Sequence, residues 1–473
     1  MVKYLHILVV RKSMGQKESE MEEKMKEKME KKSSFTSKLG FILAAAGSAV
    51  GLGNIWRFPY LAAKYGGGIF LLVYLILAVT FGFALMITQI AIGRKTGKSV
   101  VEAYKMLDKR FAFLGYLEAL VPIIIFPYYC VIGGWVVKFL AVYASGQGHA
   151  ATDGDFFGGF ISNPAEPLVY LGVFLLLTSI VVLLGVEKGV ERVSKLMMPL
   201  LVIMSVGLAV YSLTLPGAID GLVYYIKPEF SNFSLKTVVA AMGQLFYSMS
   251  LAMGIMITYG SYTPKNDDME KSVRYIEIFD TAIAFLSGMM IIPAVFSFSG
   301  GDSEALKAGP TLMFITLPNV FDSFPGGSIL GLVFFVLVLF AALTSAISLL
   351  EAIVSIISDK IHVKRQVICI AATVVAFLMA IPSSLGNGIW SHILLLGKPF
   401  LDFFDFISNN IMMPIVALIL SIFVGYVVKP KVVIDEVESS GKFRTKQMFV
   451  VVIKYIVPVC MAIILISSII GYV

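Results

Sequence analysis

Long apolar segments separated by short polar stretches dominate the chain from residue 38 onward. A helix needs about 20 mostly apolar residues to cross roughly 30 Å of hydrocarbon. Eleven segments meet this requirement, which predicts an all-α polytopic membrane protein. The segments are residues 39–62, 67–93, 112–144, 167–186, 194–215, 237–262, 273–299, 328–358, 366–383, 394–428 and 447–472.

The first span contains residue types that a lipid-embedded helix avoids. Three glycines fall within residues 47–53, and Asn54, Arg57 and Pro59 follow. Glycine and proline lower helix propensity, and unwound backbone is tolerated at membrane depth only where protein buries it or it lines a polar cavity. A break here would free carbonyls for a dehydrated cation and aim the positive end of a half-helix at an anionic group. The stretch predicts an ion and substrate site near the bilayer midplane.

The sixth span has a second interruption, where residues 243–254 mix hydroxyls with small side chains. Two interrupted helices five spans apart are typical of an inverted repeat about an axis in the membrane plane. We therefore predict an inverted five-plus-five helix repeat with unwound first and sixth helices, plus an eleventh helix. The predicted organisation is a cytoplasmic tail at 1–37 and a single transporter domain at 38–473, with repeats at about 38–215 and 236–428 and the extra helix at about 447–472.

Composition and charge agree with a membrane location. The 473 residues are 58% hydrophobic and 15% charged, with a mean hydropathy of +0.86, unlike a soluble globular protein. Alternate short loops hold 20 and 4 Lys and Arg residues. This bias predicts that the chain lies in the cytoplasmic membrane with its N-terminus in the cytoplasm. With eleven spans, the C-terminus is then predicted to be external. The bias also explains the net charge of +7, so nucleic acid is not implied as a partner.

The remaining reactive residue types do not indicate an enzyme. Cys130, Cys369 and Cys460 lie in separate apolar segments without paired spacing, and we expect them to be small core residues. The four histidines fall in the tail or in predicted loops. No spacing joins them to a nucleophile, a metal set or a phosphate-binding loop.

Residues 47–60 resemble, nearly residue for residue, the first span of the neurotransmitter:sodium symporter family, especially its bacterial amino-acid transporters. The resemblance covers essentially the whole chain after the tail and includes Tyr128 and Tyr129, residues 243–254 and residues 341–345. Many prokaryotic members have eleven spans. The resemblance implies a secondary active symporter in the lipid bilayer that imports a neutral, hydrophobic amino acid with Na⁺ by alternating access.

By position, the resemblance implies two sodium sites built from oxygen donors. The first comprises Ala49, Asn54, Ser248 and Asp280. The second comprises Gly47, Val50, Ala341, Thr344 and Ser345. An alternative for the hydroxyl residues is that they bond helix backbone, as membrane Ser and Thr commonly do.

The resemblance also implies a substrate site beside the first sodium. Its residues would be Ser48, Ala49, Leu52, Gly53, Ile125, Tyr129, Tyr247, Ser248, Ser250, Met253, Ser345 and Leu349. The backbone amides and the Tyr129 hydroxyl would meet the substrate carboxylate, and backbone carbonyls would meet its ammonium group. Tyr247 replaces a common phenylalanine and Ala252 a frequent glycine, which leaves the substrate's size open.

Asp280 stands where the family often has asparagine. Members commonly use either chloride or a glutamate about one turn further on to offset the charge of two sodium ions. That later position is Ala284 here. We infer that Asp280 supplies the charge and that chloride is not required. The alternative is that Asp280 faces a water pocket, although a mid-membrane acid costs about 2.5–3.5 kcal/mol.

The resemblance pairs Arg57 with Asp405 as an outer gate, with Tyr129 and Tyr247 beneath it. Arg57 lies about one turn outside the predicted break, too deep for a routine interfacial anchor. An exposed pair of this kind has modest net strength and can break in each cycle.

The implied inner gate is Lys32 with Asp359, supported by Ser261 and Tyr262. Lys32 stands where arginine is usual and Phe35 where tryptophan is usual, so this closure is expected to be looser. The alternative is a solvated surface lysine within a charge run.

Two further features lie near this face. Gly189 and Pro199 match a family pattern for local unwinding of the fifth span, although alone they would be ordinary helix-end residues. Glu351 is an additional acid inside the eighth span, and its partner is not evident from the sequence.

Two other functions remain open on the sequence alone. A proton-coupled or exchanging transporter of the same architecture would use Asp280 or Glu351 as its proton carrier. A substrate sensor would bind the amino acid without transporting it. The sequence also leaves open which amino acid is carried, how many sodium ions couple, and whether the chain is a monomer or a homodimer.

Overall fold

The computed structural model describes residues 34–300, 312–361 and 363–470. Residues 1–33, most of the predicted tail, lie outside this description. Within the described ranges the backbone is predominantly helical, and its only β-pairings are two isolated bridges, Gly67–Pro228 and Leu395–Lys398. Each of the eleven predicted spans coincides with a helix or a broken helix pair.

The first five spans are α1a (Lys38–Ala49) with α1b (Gly53–Lys64), α2 (Gly68–Thr96), α3 (Lys109–Ala144), α4 (Glu166–Leu183) and α5 (Val186–Leu213). The others are α6a (Leu235–Ser248) with α6b (Ile255–Ser261), α7 (Met269–Ser299), α8 (Gly327–Ser358), α9 (Arg365–Leu385), α10 (Phe400–Val427) and α11 (Lys446–Ile470).

Nine of the described helices are long and apolar enough to cross a membrane, and a tenth span is counted if α1a and α1b are taken together. The two parts of α6 are each too short to cross alone. Shorter helices connect the spans. They are Val100–Leu107, Gly148–Thr152, Phe156–Ser162, Ala218–Ile226, Phe230–Asn232, Leu312–Asp322 and Lys431–Glu438.

The break in α1 lies where the glycines predict it. Val50 is extended, with φ −74° and ψ 98°, and α1b is inclined by 54° to α1a. The Gly51 amide donates to Asn54 Oδ1 at 3.1 Å instead of to a helical carbonyl. Pro59 lies in the first turn of the following α-helical segment, where a missing N–H is tolerated. The local sequence therefore breaks this helix and caps the freed backbone.

The break in α6 spans residues 249–254 and uses left-handed backbone. Ser250, Ala252 and Gly254 have φ of 51°, 58° and 70°. Such angles are uncommon for alanine, so tertiary contacts have to hold this segment in place.

Where the sequence predicts local unwinding of α5, the structure has a π-helical turn, Val186–Glu191, at the start of a continuous helix. Gly189 lies against the α4 backbone, since a Cβ there would be 1.9 Å from the Val181 carbonyl oxygen. Pro199 lies inside the helix. The glycine therefore serves close packing of this turn.

Helix α6b is held directly on α2. A Cβ on Gly93 would lie 1.9 Å from the Ile257 carbonyl oxygen, and one on Gly260 would lie 2.3 Å from that of Ile90. The two backbones are thus in contact, as small residues allow in membrane bundles. Helix α3 packs against α4 and α8. The two breaks face each other inside the bundle, because Ser250 Oγ donates to the Ser48 carbonyl at 2.9 Å.

Candidate functional site

A small buried cavity lies between the two helix breaks. Its volume is about 30 Å³, and all twelve residues predicted for the substrate site line it. Gly51, Asn54 and Ile255 complete the lining. This volume is far below the range of about 300–1,000 Å³ that is typical of small-molecule sites. Its walls therefore have to move apart before they admit an amino acid.

One end of the cavity is polar. The Ser48 carbonyl accepts hydrogen bonds from Ser250 Oγ at 2.9 Å and Ser345 Oγ at 3.1 Å. The Leu52 amide donates to the Tyr129 hydroxyl at 3.4 Å. A carbonyl and an amide that leave the helical hydrogen-bond pattern thus lie at separate positions, where both are bonded by side-chain hydroxyls. This arrangement suits the ammonium and carboxylate groups of a zwitterion.

The other end is apolar. It is formed by Ile125, Met253, Ile255 and Leu349, which are each at most 4% exposed. The half-buried Tyr247 ring forms part of the wall. No charged side chain lines the cavity, so this end fits a neutral, hydrophobic group.

Two glycines make room for the cavity. A Cβ on Gly51 would lie 2.6 Å from Ser345 Oγ and 3.2 Å from the Tyr129 hydroxyl. One on Gly53 would lie 2.5 Å from the Tyr247 ring. Distances below 3.0 Å are incompatible with a side chain unless a neighbour moves, so glycine at these positions is dictated by packing as well as by backbone conformation.

The residues predicted for the first sodium site converge beside the polar end. Asn54 Nδ2 donates to Asp280 Oδ1 at 2.7 Å and to Ser248 Oγ at 3.0 Å. Ser248 Oγ donates to Asp280 Oδ1 at 2.6 Å. All three side chains are at most 1% exposed. Ala49 borders the same space.

Tyr74 of α2 is a member of this cluster that sequence reasoning missed. Its hydroxyl donates to Asp280 Oδ2 at 3.1 Å and lies 3.3 Å from Ser248 Oγ. Both oxygens of the buried carboxylate therefore have hydrogen-bond partners, as a charge in a low-dielectric site requires. In the sequence, Tyr74 is a tyrosine within an apolar helix. This feature is too common in membrane proteins to identify a member of an ion site.

The residues predicted for the second sodium site converge between the α1 break and α8. Ser345 Oγ donates to the Ser48 carbonyl and lies 3.4 Å from the Val50 carbonyl. Gly47 faces Thr344, since a Cβ there would be 3.3 Å from Thr344 Cβ. Thr344 Oγ1 bonds the carbonyls of its own helix, at Phe340 and Ala341. Ser345 crosses between helices, whereas Thr344 follows the ordinary pattern for membrane threonine.

The described ranges show no candidate site for a transition metal. They contain no group of three or more His, Cys, Asp or Glu side chains placed to hold a metal ion. The two clusters are instead built from carbonyls, hydroxyls and a single carboxylate, which are the ligands of hard cations.

Comparison with known proteins decides the family. The profile of the sodium:neurotransmitter symporter family matches residues 32–147 and 160–473. The chain belongs to this family.

Individual relatives agree with this assignment. An uncharacterized sodium-dependent transporter of Bacillus subtilis is 36% identical over 443 residues, covering 92% of this chain and 97% of the relative. The sodium- and chloride-dependent GABA transporter 2 of Homo sapiens is 24% identical over 480 residues, covering 90% and 78%. The crystal structure of MhsT in complex with L-phenylalanine superimposes with a TM-score of 0.84 at 37% identity, covering 92% of this chain and all of MhsT.

These similarities confirm several predictions. The chain is a multi-pass membrane protein of the sodium:neurotransmitter symporter family, and its fold is the all-helical one with broken first and sixth helices. Its relatives are transporters rather than enzymes.

In this symporter the backbone freed by the α6 break is bonded by neighbouring helices. The Gly254 amide donates to Glu118 Oε1 at 3.0 Å, and the Ala252 amide donates to Gln89 Oε1 at 3.3 Å. Gln89 and Tyr104 donate to the Glu118 carboxylate at 2.8 and 2.7 Å. Sequence reasoning missed this support, although Glu118 is a buried acid in an apolar helix, a combination that signals a functional role in membrane proteins.

The predicted outer gate is not in direct contact. Arg57 and Asp405 form no ion pair within 4.0 Å. Arg57 lies over the Tyr247 ring, 5.1 Å from its centroid. Asp405 Oδ1 accepts from Asn409 Nδ2 at 2.7 Å and from the Tyr128 hydroxyl at 3.3 Å. Each of the two charges is therefore held by other partners, Arg57 by the Tyr247 ring and Asp405 by Asn409 and Tyr128.

The predicted inner gate is described only in part, because Lys32 lies outside the described residues. Asp359 accepts from the Ser99 amide at 2.6 Å and lies 3.9 Å from Lys98 Nζ. Ser261 Oγ donates to the Thr258 carbonyl of its own helix at 2.6 Å.

Tyr262 connects the inner face to Glu351. Its hydroxyl donates to Glu351 Oε1 at 2.8 Å, and its carbonyl accepts from the Phe35 amide at 3.1 Å. The Phe35 ring packs edge-on against Tyr259 and Tyr262. Arg365 of α9 makes a bidentate ion pair with Glu351, one bond being 2.9 Å. Arg365 is the partner that the sequence did not reveal.

A second attachment holds the start of α1a. The Glu191 carboxylate accepts from the Thr36 amide and hydroxyl, both at 2.7 Å, and from Ser37 Oγ at 3.0 Å. Lys195 completes the cluster at 2.6 Å. Glu191 is 1% exposed. These bonds tie α1a to the π-helical turn of α5, and sequence reasoning missed them because Glu191 lies in a charged loop pattern.

Proposed function

We propose that this chain is a sodium-coupled symporter that imports a neutral, hydrophobic amino acid by alternating access. The observation that carries the proposal is the cavity between the two broken helices, polar at one end and apolar at the other, with two oxygen-rich clusters beside it. The similarity to MhsT, whose structure holds L-phenylalanine, supports a substrate of this class.

In this proposal the cavity orients the substrate by its two charges. The amides near Leu52 and Gly53 and the Tyr129 hydroxyl receive the carboxylate at the N-terminal end of α1b, where the helix dipole favours an anion. The ammonium group faces the carbonyl of Ser48 and the carbonyls at the end of α6a. The side chain then extends toward Ile125 and the other apolar residues. Discrimination against charged amino acids follows from the cost of burying an additional, unpaired side-chain charge among apolar residues.

The two oxygen clusters would bind one sodium ion each. At the first, Asp280 offers a full negative charge, with Ser248 and the Asn54 amide as neutral ligands. At the second, Ser345 lies against the carbonyls of Ser48 and Val50 at the α1 break, and Thr344 faces Gly47. Two ions moving down about 100 mV provide about 2.3 kcal/mol each, and a tenfold gradient adds about 1.4 kcal/mol per ion. The total, about 7 kcal/mol per cycle, is sufficient for steep accumulation.

Alternating access would use the contacts at the two faces. At the predicted cytoplasmic face, Glu191 and Tyr262 hold the start of α1a in place. At the opposite face, Arg57 and Asp405 are separate. Substrate binding would draw these two charges together over Tyr247. Release to the inside would then require α1a to leave Glu191 and the Phe35 ring to leave its aromatic neighbours.

The proposal is tested by uptake of radiolabelled neutral amino acids into proteoliposomes under an inward sodium gradient. We expect sodium-driven accumulation of a hydrophobic amino acid, and its loss in Asn54→Ala and Thr344→Ala. Thr178→Ala is the matched control, because Thr178 is a buried threonine bonded to its own helix at 2.9 Å in α4, away from the cavity. Uptake driven by a pH gradient and indifferent to sodium would contradict the proposal, as would saturable binding without accumulation.

Chloride independence is a separate prediction. If Asp280 offsets the charge of the sodium ions, replacing chloride by gluconate should leave the initial rate of uptake within about twofold, since no anion site has to be filled. Rates are compared in matched chloride and gluconate buffers at fixed sodium. A collapse of uptake in gluconate would show that this chain depends on chloride, as the name of the human GABA transporter 2 states for that relative.

A further inference from the structure

A second, larger cleft lies away from the substrate cavity, on the predicted cytoplasmic face. Its volume is about 760 Å³, and it lies between the start of α7 and the loop that precedes α11. We propose that this cleft binds the phosphate headgroup of an anionic phospholipid. The volume is within the range of about 300–1,000 Å³ that is typical of small-molecule sites. The proposal does not depend on the transported substrate.

Basic side chains outnumber acidic ones around the cleft. The basic residues are Lys271, Arg274, Lys442 and Arg444, and the acidic ones are Asp268 and Glu270. Basic pockets on the cytoplasmic side of membrane helices suit anionic headgroups. Arg274 is paired with the Glu277 carboxylate at 2.9 Å, so one net positive charge remains to attract a phosphate.

Both carboxylates are already bound within the protein. Glu270 accepts from the Arg444 amide at 2.7 Å and from the Thr445 amide and hydroxyl at 3.1 and 2.7 Å. Asp268 accepts from the Lys271 amide at 3.1 Å and pairs with its Nζ at 3.0 Å. The acidic groups therefore shape the site and leave other cations for a ligand.

Lys442 and Arg444 are the cations left for a ligand. Both are exposed, and in the described part of the chain neither side chain forms an ion pair within 4.0 Å. Phe443 between them is 6% exposed and packs on Phe449 with ring centroids 5.4 Å apart. This anchor, together with Glu270, fixes the loop backbone. The two charges are thus presented by an ordered segment and not by a free tail.

An apolar surface continues from the cleft along α7. Tyr275 and Ile278, which line the cleft, are 50% and 59% exposed and lie about one helical turn apart. Arg274 joins α7 to α2, donating to the Val79 carbonyl at 3.2 Å and lying 3.7 Å from the centroid of the Phe83 ring. Val79 is itself 50% exposed.

The apolar surface favours a lipid over a soluble phosphate. A headgroup in the cleft would place its acyl chains along Tyr275 and Ile278, where they replace bulk lipid. The cleft also lies among the loops that carry 20 of the 24 loop Lys and Arg residues, the side on which anionic lipids are recognised by juxtamembrane cations.

The test is a titration of the purified, delipidated full-length protein with phosphatidylglycerol or phosphatidylcholine of identical acyl chains, followed by native mass spectrometry. We expect tight binding of phosphatidylglycerol only. Lys442→Gln with Arg444→Gln should weaken it about 30-fold, because each juxtamembrane cation contributes about 1 kcal/mol and 1.4 kcal/mol is tenfold. Lys442→Arg with Arg444→Lys should bind like the wild type.

The matched control is Lys429→Gln with Lys431→Gln, which removes two exposed cations from the same loop but outside the cleft. An equal loss in this control would overturn the proposal in favour of diffuse surface charge. Equal binding of the two lipids would also overturn it. If glycerol phosphate binds as tightly as phosphatidylglycerol, the ligand of the cleft is a soluble phosphate and the lipid proposal is overturned. Each comparison includes the melting temperature in phosphatidylcholine, which should be unchanged.

Discussion

Asp280→Asn is expected to raise the sodium concentration for half-maximal uptake by about 100-fold. The substitution keeps a side chain that can bond Asn54 and Ser248 but removes the only charge of the cluster at the α1 break. Two unit charges 4 Å apart interact by about 4 kcal/mol at an effective dielectric constant of about 20. The remaining neutral oxygens recover part of this energy. The measurement is the sodium activation curve of uptake in proteoliposomes.

Two companion variants make this result specific. Asp220→Asn removes an exposed acid of the short helix Ala218–Ile226 and should leave the curve unchanged. Asp280→Asn with Ala284→Glu restores a carboxylate one turn along the same face of α7, and we expect it to recover sodium affinity if charge compensation is the role of Asp280. Normal sodium activation in Asp280→Asn would contradict that role. The wild type could instead show uptake that depends on pH and not on sodium. Loss of that pH dependence in Asp280→Asn would then identify Asp280 as a proton carrier.

Gly51→Ala is expected to reduce substrate affinity by about 10- to 100-fold. The new methyl group would lie 2.6 Å from Ser345 Oγ and 3.2 Å from the Tyr129 hydroxyl, inside a cavity of only about 30 Å³. Overfilling a packed site typically costs about 1–3 kcal/mol. The effect should appear in equilibrium binding of radiolabelled substrate as well as in uptake.

Gly243→Ala is the matched control for this variant. Gly243 lies in α6a, near the same cavity, but a Cβ there meets no atom within 4 Å. Alanine is favoured over glycine within a helix by about 0.5–1 kcal/mol, so this variant should bind substrate normally and be at least as stable. Wild-type affinity in Gly51→Ala would show that the cavity walls relax more than the structure indicates.

The helix breaks could be predicted from sequence because their causes are local. Glycines, Asn54 and Pro59 in α1 and the small residues of α6 each weaken helical hydrogen bonding within one or two turns. Span positions followed from apolar length in the same way. The twelve substrate-site residues came from family resemblance, and the structure places all of them around one cavity. Periodicity alone would not have selected Ile125 or Met253 from the other buried apolar residues.

The contacts that hold the breaks in place could not be predicted. Glu118 reaches the Gly254 amide across 136 residues, and Glu191 reaches Thr36 across 155 residues. No local pattern encodes such pairs. Arg365 as the partner of Glu351 is only 14 residues away, yet it lies on another helix and depends on how α8 and α9 pack.

The separation of Arg57 from Asp405 is another result of packing. Complementary charge in two spans suggests a pair, but the distance between them depends on how α1b and α10 are placed around Tyr247. A sequence pattern can identify the two charged residues of a gate, but it does not indicate whether they are in contact. The distance belongs to one conformation of the protein.

By itself, the sequence determined the membrane location, the approximate positions of the apolar helices, the two broken helices and the family. These properties depend on hydropathy and helix propensity summed over neighbouring residues, so they can be predicted from the sequence. Tertiary structure alone decided the neighbours of Asp280, including Tyr74, the support of the α6 break by Gln89 and Glu118, and the cleft between α7 and α11. Each of these depends on helices far apart in the chain meeting at atomic distances, which only the packed bundle specifies.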